Sequence, residues 1–124
     1  MKFTRETAST LMIRSVSANE IQIGTDLYDH AISLTVDTVF ENWAPERVSD
    51  LKEGDFSEML EFNPEIIVLG TGSSNIFPPR ELVFAMARRR VGFEVMNTAA
   101  AARTYNVLAG EGRQVAAVLY LPDE

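Results

Sequence analysis

The chain has 124 residues, 46% of them apolar and 23% charged, with a net charge of −7, no cysteine and one histidine. This length and apolar share suit one domain, residues 1–124, whose core needs no disulfide or metal staple. The missing thiols exclude thiolate chemistry and cysteine-ligated metals, the single His30 excludes a multi-histidine site, and the acidic field disfavours nucleic acid and acidic membrane surfaces.

No apolar run is long enough to cross a bilayer, so membrane insertion is not expected. Lys2, Arg5, Glu6 and Arg14 interrupt the opening stretch, which therefore lacks the uninterrupted apolar region of a secretory signal. A cytoplasmic protein with a loosely packed or flexible segment over 1–10 is expected.

From Leu11 to Trp43 the text is strand-like, in "LMIRSV", "EIQIGTDLY" and "AISLTVDTVFENW", with turns at Ser17-Ala18-Asn19 and Gly24-Thr25-Asp26. Ile32, Leu34 and Val36 alternate with Ser33, Thr35 and Asp37, the period of a half-buried strand. Val39 to Trp43 extends the sheet beyond a bend, and the whole stretch predicts one antiparallel meander. Pro45 breaks this pattern. Ser49 or Asp50 then starts a short helical turn, Asp55 caps a second one carrying Phe56, Met59 and Leu60, and Pro64 ends it.

The second half alternates strands and helices: a continuous apolar strand over Ile66–Leu69, a helix over Pro79–Arg90, a short strand over Gly92–Met96, a helix over Thr98–Ala109 and a final strand over Gln114–Leu121. Spacing of this kind predicts a right-handed crossover and a parallel strand pair. In the first helix Leu82, Val83 and Met86 form the covered stripe, with Phe84 and Ala87 beside it. Arg88, Arg89 and Arg90 occupy its last turn, where cations meet the negative end of the helix dipole; the other reading is docking on an acidic partner. In the second helix Asn97 or Thr98 is available as cap and Gly110 as the left-handed exit, while Ala101, Ala102, Tyr105 and Leu108 face the core. Arg103 and Asn106 share the opposite, polar face.

Gly70 and Gly72 begin a dinucleotide fingerprint, but the third glycine position holds Asn75 and no Gly-Lys-Ser/Thr follows, so neither a dinucleotide site nor a P-loop is expected. What the loop does have is position. Parallel strands over 65–69 and 92–96 bring Gly70, Thr71 and Gly72 and the pair Asn97 and Thr98 to one carboxyl edge, where two helix N-termini offer amides to an anion or polar partner group. Thr71, Ser73, Ser74 and Asn75 either line a pocket there or only satisfy loop backbone and solvent. His30, beside Asp29 with no nucleophile elbow in the chain, reads as a surface or hydrogen-bonded strand residue. Glu53, Asp55, Glu58, Glu61 and Glu65 read as a solvated acidic face able to meet a basic partner.

"PEIIVLGTG", the long run "GFEVMNTAAAARTYNVLAGEGRQVAAVLYLP" and, more loosely, "EIQIGTDLYDHAISLT" resemble the Mth938-domain family of small single-domain proteins. The resemblance spans most of residues 11–122. It implies an α/β fold with a central mixed β-sheet, flanking helices and an additional antiparallel strand group. Through the mitochondrial complex I assembly factors of that family it also implies work by protein contact on respiratory NADH:quinone oxidoreductase, with respiratory-complex subunits or assembly proteins as partners. It supplies no catalytic residues, and the N-terminus, unlike a mitochondrial presequence, points to a bacterial relative. The first expectation is thus a non-enzymatic interaction domain without cofactor or metal. The alternative is a small-molecule or anion binder, with or without catalysis, using a cleft of Gly70, Thr71, Gly72, Asn97, Thr98, Arg103 and Asn106.

Overall fold

The computed structural model describes residues 10–122. The loose N-terminal segment expected over 1–10 therefore lies, apart from Thr10, outside the described residues. Two sheets form. β1 (Ile13–Val16), β2 (Ile21–Ile23) and β3 (Asp26–Tyr28) make a small antiparallel sheet in that order. β4 (Ile32–Thr35), β5 (Val39–Phe40), β6 (Ile66–Gly70), β7 (Gly92–Met96) and β8 (Val115–Leu119) make a mixed sheet ordered β5-β4-β8-β6-β7. In it β6 is parallel to both β7 and β8, whereas β4 is antiparallel to β8 and β5. The fold is the expected α/β arrangement, a central mixed sheet with flanking helices and an additional antiparallel group.

The predicted single meander is corrected: the chain leaves the small sheet after β3, and the β4–β5 hairpin joins the central one instead. Hydrophobic patterning does not distinguish a strand that continues a meander from one that crosses to a new sheet. The half-buried reading of β4 is corrected too, because Ser33 and Thr35 are as buried as Ile32 and Leu34. Both faces of the central sheet are covered. On one, Val68, Val115, Ala117 and Leu119 pack with Ile32, Leu34, the small sheet and helix α3 (Thr98–Gly110). On the other, Ile67, Leu69, Ala116, Val118 and Tyr120 pack with helix α2 (Arg80–Arg88), the short helix α1 (Ser57–Leu60) and the 3-10 turns at Val48–Asp50 and Glu53–Phe56. Such alternation along β6 and β8 is the period of two expected of a strand buried on both faces.

Several helix ends depart from expectation, two of them through the residue that takes the left-handed conformation. α2 stops at Arg88; Arg89 is its C-cap and Arg90 takes the left-handed conformation, φ 60°, with Arg90 N–H donating to the Ala87 carbonyl and Val91 N–H to that of Met86. Those paired bonds are a Schellman closure, a role usually given to glycine. α3 ends the same way, but its left-handed residue is Gly112, φ 81°, and not Gly110, which is still helical. Asp55 does not precede its turn as a cap; it lies within it and accepts the Lys52 N–H at 2.8 Å. Likewise Ser49 and Asp50 lie inside the first turn, which begins at Val48. Since a side chain in the left-handed region costs about 1–2 kcal/mol, Arg90→Gly is expected to raise stability by about 0.5–1 kcal/mol after its own unfolded-state entropy is counted. A urea titration reading the unfolding midpoint checks this, and an unchanged or lower midpoint contradicts it.

α2 buries Leu82, Ala85 and Met86, leaving Val83 and Phe84 exposed. Leu82 and Met86 of the expected stripe are covered, but Ala85 takes the place expected of Val83. Of the three arginines, only Arg88 lies in the helical last turn, and Arg89 Nε pairs with Glu53 at 2.7 Å.

Candidate functional site

The carboxyl ends of β6 and β7 meet as expected, that of β8 joins them on the other side of β6, and a single hydroxyl ties the three. Thr98, the first residue of α3, is fully buried; its Oγ1 accepts the Gly72 N–H at 2.8 Å and donates to the Tyr120 carbonyl at 2.6 Å. Backbone bonds complete the knot: Thr71 N–H to the Met96 carbonyl, Thr98 N–H to that of Gly72, and Tyr120 N–H to that of Gly70. Gly72, at φ 101°, holds a conformation that side chains rarely adopt. Gly70 is required by proximity, since a Cβ there would lie 2.9 Å from Thr98 Cα and 3.0 Å from Ala101 Cβ.

Around this knot the polar groups serve the backbone. Asn97 is the N-cap of α3, its side-chain oxygen accepting the Ala100 N–H at 2.8 Å. Thr71 Oγ1 donates to the Ser74 carbonyl and accepts the Ile76 N–H, shaping the loop. Gly70, Thr71, Gly72, Asn97 and Thr98 are thus brought together. Arg103 and Asn106 lie further along α3: Arg103 is exposed, and Asn106 faces β1, accepting the Ile13 N–H at 2.9 Å and donating to the Ile13 carbonyl at 2.8 Å. In effect Asn106 pairs with the edge of β1 as a neighbouring strand would.

A depression of about 290 Å³ opens beside the knot, on the α2 side of the sheet. It is lined by Thr71, Ile76, Tyr120, Val48, Ser49, Glu46 and Arg47. Thr71 is the one residue of the expected cleft that lines it; Arg103 and Asn106 belong to a helix packed on the opposite face of the sheet. Sequence reading did not place the 46–49 segment here, although Val48, Leu51, Phe56 and Met59 form an apolar series that signals a segment lying over the sheet.

Other expected groups are placed as follows. His30 lies in the bend between β3 and β4, not in a strand, with Nδ1 3.1 Å from Asp29 Oδ1; that hydrogen bond holds the Asp29 carboxyl below the ordinary carboxylate range. Of the acidic face, Glu53 pairs with Arg89, Asp55 accepts from Lys52, and Glu65 meets Arg113 and the Gln114 N–H. Glu58 and Glu61 remain exposed. The other feature missed from sequence is a run of exposed apolar side chains: Ile76, Phe77 (83% exposed), Val83 and Phe84 (54%) all fall within nine consecutive residues. Among the described residues no helix is long and apolar enough to cross a membrane.

A family model described as "Protein of unknown function (DUF498/DUF598)" matches residues 13–120. The "13 kDa major membrane protein" of Francisella tularensis subsp. holarctica (strain LVS) is 30% identical over 93 residues, covering 74% of this chain and 76% of that protein. The human "NADH dehydrogenase [ubiquinone] 1 alpha subcomplex assembly factor 3" is 31% identical over 120 residues, 95% of this chain, which spans 65% of the human protein's length. Among solved structures, a Xanthomonas campestris protein matches with a TM-score of 0.84 at 32% identity, covering 96% of this chain and 90% of that one. A Bordetella pertussis protein, described as an Mth938-like domain, shares the fold with a TM-score of 0.79 at 24% identity, covering 100% and 94% respectively.

Proposed function

The chain belongs to the family described as protein of unknown function (DUF498/DUF598), and from that premise we propose that it is a protein-interaction domain, an assembly factor for respiratory complex I that works by contact and not by catalysis. The observation that carries this reading is the identity shared with the human assembly factor along 120 residues. The reading places the protein in a bacterial cytoplasm, with complex I subunits or other assembly proteins as partners. Its docking surface is the exposed apolar run of Ile76, Phe77, Val83 and Phe84, because large apolar side chains concentrated on one short segment are what a partner buries.

Affinity purification from native cells is expected to recover subunits or assembly proteins of the complex. The double variant Phe77→Asp with Phe84→Asp is expected to reduce that recovery at least about tenfold while leaving the melting temperature nearly unchanged, because both side chains already face solvent. Recovery of none of these proteins, together with normal complex I in a deletion strain, overturns the reading.

A second reading, a small-molecule or anion binder at the carboxyl edge, is favoured by the depression beside Thr71, where Arg47 supplies a cation. It expects a ligand-induced rise in melting temperature that Arg47→Ala abolishes; a broad anion screen without a single such rise counts against it.

A further inference from the structure

We propose that a second pocket, between the β4–β5 hairpin and α1, binds a primary alkylammonium group. It encloses about 380 Å³ and includes Ser33, Phe40, Trp43 and Met59 together with three carboxylates, Glu41, Asp55 and Glu58. Among the described residues no lysine or arginine lines it.

The decisive group is Ser33. It is 2% exposed, yet its hydroxyl has no hydrogen-bond partner among the described residues. Its direction follows from the pleat: Ile32 and Leu34 point into the α3-side core, so Ser33 points the other way, opposite Phe40 on one neighbouring strand and Val118 on the other. Thr35, the other buried hydroxyl on this strand, is accounted for by accepting the Asp37 and Thr38 N–H groups in the following turn. Buried polar groups in proteins are nearly always satisfied, and an orphan one lining a cavity marks where an outside group enters.

The chemistry of that group follows from the lining. Asp55 commits Oδ2 to the Lys52 N–H, leaving Oδ1 unpartnered, and neither Glu41 nor Glu58 forms an ion pair among the described residues. The carboxylates are not grouped to hold a metal ion. Two aromatic rings favour an organic cation over a hydrated inorganic one. Trp43 is held in place for this, its indole N–H donating to the Tyr120 hydroxyl at 2.9 Å and its ring meeting Phe56 edge-on. An ammonium group offers three donors to a hydroxyl and carboxylates, and an alkyl stem lies against Phe40, Trp43 and Met59. Such a group comes either from a free diamine or from a lysine side chain of a partner.

Amide-resolved NMR titration with cadaverine and with N-acetyl-lysine methylamide tests this, with glutarate and pentanol as anionic and neutral controls. Saturable shifts of the Ser33, Asn42 and Met59 amides and the Trp43 indole N–H are expected for the cations alone. Response to cadaverine only identifies a free amine as the source, and response to the lysine amide identifies a partner side chain. Ser33→Ala is expected to weaken binding about tenfold or more, the worth of one hydrogen bond to a charged group. Glu58→Gln weakens it several-fold, whereas Glu111→Gln, on the other face of the sheet, leaves it unchanged. If Ser33→Ala fails to fold, the exposed Glu58 position carries the comparison. No saturable shift, equal response to glutarate or pentanol, or equal weakening by Glu111→Gln overturns the proposal.

Discussion

Tyr105→Ala is expected to destabilise the protein by about 3–5 kcal/mol, the range for deleting a buried aromatic ring. The ring is fully buried in the core shared by α3, the small sheet and β4. Its hydroxyl donates to the Leu11 carbonyl at 2.9 Å, with the Thr35 carbonyl at 3.3 Å, so one side chain joins the helix to the approach to β1 and to the end of β4. Denaturant unfolding of the variant is expected to show a lower midpoint with an unchanged slope, and a loss below about 1 kcal/mol would contradict the packing role. Burial, and then the nearby Asp37, push the hydroxyl's ionisation above its ordinary value of 10.0. A raised folded value means the stabilisation is complete below the unfolded value and is lost as pH climbs past it. Stability should therefore fall above pH 10.0, and Tyr105→Phe should flatten that fall.

Gly70→Ala is expected to cost about 1–3 kcal/mol, the usual penalty for overpacking, from the addition of one methyl group. The new Cβ would meet Thr98 Cα at 2.9 Å and Ala101 Cβ at 3.0 Å. The first of these is backbone at the start of α3 and cannot swing aside, so either the helix or the end of β6 must shift. Either movement opens the hydroxyl knot of Thr98 with Gly72 and Tyr120. Faster amide exchange at Gly72 is expected alongside the lowered unfolding midpoint; a variant with wild-type midpoint and exchange would show that this edge is loosely packed. Gly54→Ala, where an added Cβ meets nothing within 4 Å, serves as the contrast.

The glycine loop shows how much of the site was legible in the sequence. Its strand-loop-helix setting, the parallel partner at Gly92–Met96 and the meeting with Asn97 and Thr98 all follow from period and punctuation. That Thr98's hydroxyl would be consumed by Gly72 and Tyr120 does not, because those residues stand 26 and 22 positions away in the chain. Asn106 illustrates the same limit: helical spacing puts it on a polar face, but only the packing of β1 against α3 turns that face into a strand partner. For α2 the sequence offers two adjacent apolar stripes, and the neighbours selected Leu82, Ala85 and Met86, leaving Phe84 outside.

By itself the sequence determined the order of the elements and some of their local features: the turn at Gly24, a cap at Asn97 or Thr98, the continuous apolar run of β6, and the α/β alternation of the second half. These rest on φ/ψ preference and side-chain period, which act over a few residues. Only the tertiary structure decided that β8 lies at the centre of the sheet between β4 and β6, that the first strands divide between two sheets, and that the Ser33 hydroxyl is buried without a partner among the described residues. Strand order and polar satisfaction depend on pairs of groups far apart in the chain, whose meeting is set by how whole layers pack.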